Sequence, residues 1–398
     1  MSVKLNKFLF LLLVFFSSVP HTHSFVAKIN SNFNEFFLFL PLSLFLFFFL
    51  SLEKGYVGKL RLSETSVLFV PVLLALLGCV SIIYSFNYPY DYSYESALVH
   101  IVRNILYFFL LLLVFRILTV YPIEEKVFKI LAFGFIYTLL YVFVFWLQNP
   151  VYYYGLPFLH GRHISYEFVA SRNVLGFYFS ISIPVFLYLV FKTQGIARFF
   201  WSSMLFLFAT ALILTLSRGS WLSAFFGASV FFVTYFKFNK LVVYSLMIFP
   251  FLTFLIIDRF HFFLDWGVKS KPGIRFNFVV DAIDLMLIYP YFGVGPSNYH
   301  VAAVYHGLLP TRDPHNSLFH LSSEYGVIAF FTVLVFFVYL FFRFLILLNT
   351  KRNLNYSTSF SVASVLVLES FFTGMVFTQP IGWLMLSLSL YLLNTRNA

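Results

Sequence analysis

The stretch "DPHNSLFHLSSEYG" at residues 313–326 places His315, Asn316 and Glu324 directly ahead of a long apolar run. A neutral imidazole there can take a proton from a hydroxyl near neutral pH. The competing reading is a helix-capping or hydrogen-bonded structural histidine, and periodicity leaves both open. His315, Phe319 and Ser322 recur at spacings that share a helical face, so His315 is expected at the rim of the helix that carries Glu324. "LTLSRGSWLSAFFG" sets Arg218 beside Gly219 at a tight reversal between two apolar runs. A guanidinium stays charged and forks onto two phosphate oxygens, which suits a diphosphate; the alternative is an anchor that snorkels towards lipid headgroups. "KPGIRFNFVVDAIDLMLIYPYFGVGPSNYH" reads as a turn at Pro272–Gly273, a helix of about 15 residues from Ile274 and a glycine-containing exit after Pro290. Arg275 falls in the first turn of that helix, where the helix dipole favours anions, so a cation there points to function. Val279, Val280, Ile283, Met286 and Leu287 are expected to form its apolar face, and "GVG" fits a turn as well as a ligand loop.

Other chemistries find less support. His160 and His163 in "HGRHIS" are two ligands, short of the three that a catalytic zinc requires. The acids expected on the outer side, Asp91, Glu95, Glu167, Asp258, Asp265, Asp281, Asp284, Asp313 and Glu324, are dispersed rather than paired as a metal-dependent transferase would want. No Ser-His-Asp pattern assembles, and no glycine-rich phosphate loop ends in lysine.

The elements that must position these residues are membrane helices. Of 398 residues, 61% are hydrophobic and 10% charged, with a mean hydropathy of +0.89, which exceeds what one soluble core can bury. The apolar runs are continuous rather than alternating, so the fold class is an all-α polytopic bundle and not a barrel. Candidate spans lie near 7–20, 35–52, 65–86, 97–120, 127–148, 173–191, 199–216, 221–236, 241–257, 321–348, 357–377 and 379–394, about twelve in all. The first, behind Lys4 and Lys7, is either a helix or a signal peptide. The net charge of +11 comes from scattered residues without a basic face, which excludes a nucleic-acid surface and fits topology instead. With both termini cytoplasmic, Lys and Arg concentrate inside. Lys28, Arg103, Arg162, Arg172, Arg218, Arg259, Lys269, Lys271, Arg275 and Arg312 then fall outside and call for a reason. The whole chain reads as one integral membrane domain, with 258–320 an exoplasmic catalytic loop between the ninth and tenth helices. Cys79, the single cysteine, is expected to be a small buried packing residue.

"SRGSW" at 217–221, "RFNFVVDAIDLMLIYPYFGVGPSNY" at 275–299 and "HNSLFHLSSEYGVIAF" at 315–330 together resemble the O-antigen ligase and O-antigen polymerase superfamily of bacterial envelope glycosyltransferases. "SRNVLGFYFS" at 171–180 looks like that family's Asn-containing segment, while Ser220 stands where alanine often follows the Arg-Gly pair. The resemblance spans residues 160 to 390. It implies a GT-C-like bundle in the bacterial inner membrane that needs no metal or other cofactor. The donor would be an undecaprenyl-diphosphate-linked glycan and the acceptor a hydroxyl, such as one on lipid A-core. Arg218 and Arg275 would neutralise the departing diphosphate, and His315 would be the base for inverting attack on the anomeric carbon. Arg172, Asn173, Asn316 and Glu324 are the expected further substrate contacts. Ligase is the first reading, with polymerase and protein O-glycosyltransferase as alternatives in the same superfamily. A twelve-helix transporter is the competitor from another class; it would show repeat symmetry and polar sites near mid-membrane.

Overall fold

The computed structural model describes residues 3–19, 62–121, 123–148, 150, 152–153, 156–157, 172–236, 272–308, 314, 316–347, 353–373, 376–377 and 379–394. They form an all-helical bundle of α1 (Val3–Ser17), α2 (Leu62–Tyr84), α3 (Tyr94–Val120), α4 (Glu124–Gln148), α5 (Arg172–Lys192), α6 (Gly195–Leu214), α7 (Arg218–Phe236), α8 (Pro272–Ile288), α9 (Tyr299–Tyr305), α10 (Ser317–Tyr325), α11 (Val327–Leu347), α12 (Leu354–Phe372) and α13 (Pro380–Asn394). A two-residue antiparallel ladder pairs Tyr152–Tyr153 with Leu156–Pro157 between α4 and α5. Among the described residues, six helices, α2 to α7, are long and apolar enough to cross a membrane, and α1, α11 and α13 contain shorter apolar stretches. The expected spans at 35–52 and 241–257 lie outside the described residues.

α5 is the central helix: 89% of its span is buried, against 22% for α6, whose Ile196, Phe199 and Phe206 face outward. In lipid there is little hydrophobic drive between helices, so close backbone approach and hydroxyl bonds hold the bundle together. α7 meets α12 at Gly227, where an added Cβ would lie 2.4 Å from a Val365 methyl and where Ser361 Oγ donates to the Gly227 carbonyl at 2.7 Å. Ser359 and Ser389 exchange hydroxyl-to-carbonyl bonds of 2.6 and 2.8 Å between α12 and α13. Tyr107 stacks on Trp383, joining α3 to α13.

The apolar run at 321–348 is not one helix. It breaks at Gly326, where the Val327 N–H donates to the Pro290 carbonyl at 2.8 Å. The last carbonyls of α10 would be orphans at such a break. The "GVG" exit takes them up: Val294 N–H donates to Ser323 O at 2.8 Å and Gly295 N–H to Glu324 O at 3.0 Å. Gly293 has φ +63°, and a Cβ there would lie 2.4–2.6 Å from backbone atoms of Ser323 and Glu324. "GVG" is therefore a backbone splice between α8 and α10.

Two expectations about faces are corrected. α8 buries Ala282 and Leu285, whereas Val280 and Leu287 are exposed. Cys79 is exposed on α2 rather than buried. For Cys79 the cause is that a membrane helix at the rim of a bundle is apolar on its outer side too, so apolarity does not mark the packed face.

A candidate active site at one end of the bundle

Arg218 is the first residue of α7, and its turn is locally fixed. Leu216 has φ +52°, a left-handed conformation costly for a bulky residue, and it reverses the chain between α6 and α7 within three residues. Thr215 Oγ1 accepts from the Ser217 N–H at 3.2 Å, and Trp221 reaches back to donate its ring N–H to the Leu212 carbonyl at 2.7 Å. Gly219 packs directly on Phe372 at the end of α12. Ser217 Oγ donates to Asn173 Oδ1 at 3.4 Å, so the start of α5 and the start of α7 meet. Arg218 is partly exposed and has no hydrogen-bond or carboxylate partner among the described residues.

Beneath this turn lies a carboxyl group that sequence reading missed. Glu369 of α12 is fully buried, accepts from Ser180 Oγ at 2.8 Å and leaves Oε2 without a partner among the described residues. Ser220, the departure from the family pattern, has its hydroxyl 3.0 Å from that of Ser217 within the α7 turn. A lone acid inside a long apolar helix was the available signal.

The end of α12 also seats α10. Asn316 Nδ2 donates to the Phe371 carbonyl at 3.3 Å, and Ser317 Oγ donates to the Thr373 carbonyl at 2.6 Å. Asn316 is the N-cap of α10, its Oδ1 accepting from the Leu318 and Phe319 amides at 3.0 and 3.2 Å. The amide of Asn316, expected among the substrate contacts, serves in this structure as a cap and as a tie to α12. The helix that carries Glu324 begins at Ser317, behind this cap. His315 itself lies outside the described residues, as do the side chains of Arg172 and Arg275. Arg172 opens α5 beside Asn173, and Arg275 stands near the start of α8, which packs on α10.

Glu324 is buried and paired with His320, Nε2 to Oε1 at 3.1 Å, one helical turn apart. A tyrosine-rich loop ahead of α3 braces the same region: Tyr88 and Tyr90 donate to the Gly293 and Val294 carbonyls at 2.8 Å each. Burial raises the phenol pKa of Tyr88 and Tyr90 and pushes that of Tyr92 up to about 12.

The starts of α5, α7, α10 and α13 and the end of α12 therefore share one end of the bundle. Gln379, just ahead of α13, accepts from Tyr178 on α5 at 3.3 Å. The opposite end holds Lys7 over the Tyr121 ring and Tyr391 bonded to Glu124. This end combines a guanidinium with no partner among the described residues, a neighbouring amide and the cap of α10. Such a set can bind an oxyanion. No curated protein matches the chain. Residues 203–334, which hold the Arg218 turn, α8, the "GVG" splice and α10, match the family model described as O-antigen ligase.

Proposed function

We propose that the protein is an O-antigen ligase-type glycosyltransferase that moves a glycan from undecaprenyl diphosphate to an acceptor hydroxyl, with lipid A-core as the first-choice acceptor. The observation that carries this reading is the meeting of the Arg218 turn, Asn173 and the α10 start around the end of α12. Arg218 and Arg275 hold and neutralise the diphosphate. His315 takes the proton of the acceptor hydroxyl as its oxygen attacks the anomeric carbon. The bond from that carbon to the diphosphate oxygen breaks with its electron pair leaving on the diphosphate, so configuration inverts. The family resemblance gives the reaction no metal.

An O-antigen polymerase uses the same donor, with a second lipid-linked repeat unit as acceptor. A transporter fits less well, because the Arg218 turn and the α10 cap lie at one end of the bundle rather than near its middle. We assign the site to the exoplasmic face of the bacterial inner membrane and both termini to the cytoplasm. Lys126, Lys129, Lys192 and Arg198, at the other end of the described helices, agree with the positive-inside bias.

Reconstituted transfer from a lipid-diphosphate glycan tests the reading. Arg218→Lys and Arg275→Lys are expected to keep wild-type abundance and lose transfer, since a point charge does not reproduce the planar fork. Full activity in both variants would reduce the arginines to interfacial anchors.

A further inference from the structure

Arg103 lies within the stretch of α3, Tyr94–Phe115, that is apolar enough to cross a membrane. A guanidinium at such a position needs a partner, because an uncompensated charge in a low-dielectric interior costs about several kcal/mol. Its Nη2 lies 2.8 Å from His100 Nδ1 on the same helix, and its Nε is buried with no hydrogen-bond partner among the described residues. The adjoining helix is α10, docked on α3 by the Asn104 amide donating to the Tyr325 hydroxyl at 3.0 Å. Glu324, next to Tyr325 on α10, is already held by His320 at 3.1 Å. No carboxylate pairs with Arg103 among the described residues.

The position of α10 gives this cation a direction. The start of α10 is tied to the end of α12 beside the Arg218 turn, and its last residues are tied to α3. The two guanidiniums thus stand at different ends of the helix that follows His315. In an inverting displacement the nucleophile approaches the face of the anomeric carbon opposite the leaving group. We propose that Arg103, oriented by His100, is a second oxyanion site, separate from Arg218, that takes a phosphate carried by the acceptor. The inference rests on the transferase reading for the identity of the two substrates.

Binding to the full-length protein in phosphatidylcholine nanodiscs separates the two sites. Lipid A, with its sugar phosphates, probes the acceptor side, and farnesyl diphosphate probes the donor side. Arg103→Gln is expected to weaken lipid A binding on the order of 10- to 100-fold, the worth of a charge-assisted hydrogen bond. Farnesyl diphosphate binding should stay within about twofold, as for independent sites. Arg218→Gln should show the reverse pattern, and that arm reports on the transferase reading by itself. Unchanged lipid A binding in Arg103→Gln, loss of farnesyl diphosphate binding in the same variant, or no lipid A binding by the wild-type protein would each overturn the proposal. Should Arg103→Gln fail to fold, Arg103→Lys decides: weakened lipid A binding supports the site, and wild-type binding makes Arg103 an anchor.

Discussion

Gly293→Ala tests whether the "GVG" splice holds α10 in place. At φ +63° an alanine costs about 1–2 kcal/mol from its left-handed backbone alone. The larger effect is steric. The new Cβ would sit 2.4 Å from the Glu324 carbonyl carbon, 2.5 Å from Ser323 O and 2.6 Å from Glu324 O, all backbone atoms that no side-chain rotation can clear. Moving the segments apart breaks the Val294-to-Ser323 and Gly295-to-Glu324 bonds, each worth about 0.5–1.5 kcal/mol. The sum is about 2–5 kcal/mol. Gly307→Ala is the internal control, since its φ is +69° but nothing lies within 4 Å of the added Cβ, so it bears the backbone cost alone. Thermal unfolding in one detergent, at roughly 2–4 °C per kcal/mol, should show Gly293→Ala well below Gly307→Ala. Hydrogen exchange should rise selectively across 317–325 in Gly293→Ala. Equal unfolding temperatures and equal exchange in the two variants would refute the splice.

His315→Ala should lower transfer on the order of 100- to 10,000-fold while donor binding persists, because the base acts only in the chemical step; joint loss of binding and turnover would make it a donor ligand. His320→Ala should retain most transfer but unfold more easily, by roughly 1–3 kcal/mol, as it strands the buried Glu324 carboxylate; unchanged stability would count against the pair. The raised phenols of Tyr90 and Tyr92 stabilise the fold fully below the unfolded value of 10.0 and lose that contribution as pH climbs towards about 12. Melting temperature should therefore fall through that interval, and Tyr90→Phe should blunt the fall; a flat profile in the wild type would argue against it. A reporter fused after Asp265 should be active outside the cell membrane and one after Lys351 inside, and the opposite result would end the catalytic assignment.

Much of the bundle was legible because run length alone defines helices in lipid, and α1 to α7 and α11 to α13 fall on the apolar runs. The Arg218 reversal was legible too, since Gly219 and a following apolar run mark a turn. Faces were not, as α8 and Cys79 illustrate. Asn316 had a readable signal that was passed over: asparagine immediately ahead of an apolar helix is a preferred N-cap. Glu369 and Arg103 were harder. Each is one polar residue in an apolar window, and its meaning depends on partners such as Ser180, 189 positions away, or on α10. The splice at "GVG" required knowing which distant carbonyls it would satisfy.

The seat of α10 has a consequence for biosynthesis. Every residue assigned here to chemistry precedes Leu347, yet the surfaces that hold the Arg218 turn and the α10 cap, Phe371, Phe372 and Thr373, belong to α12. A ribosome-bound chain that has just inserted α11 carries the Arg218 turn and α10 without the helix that holds both. Under the proposed reading, a chain stopped short of α12 would leave these two parts of the site unanchored, so the end of α12 is where synthesis and assembly of the site become linked.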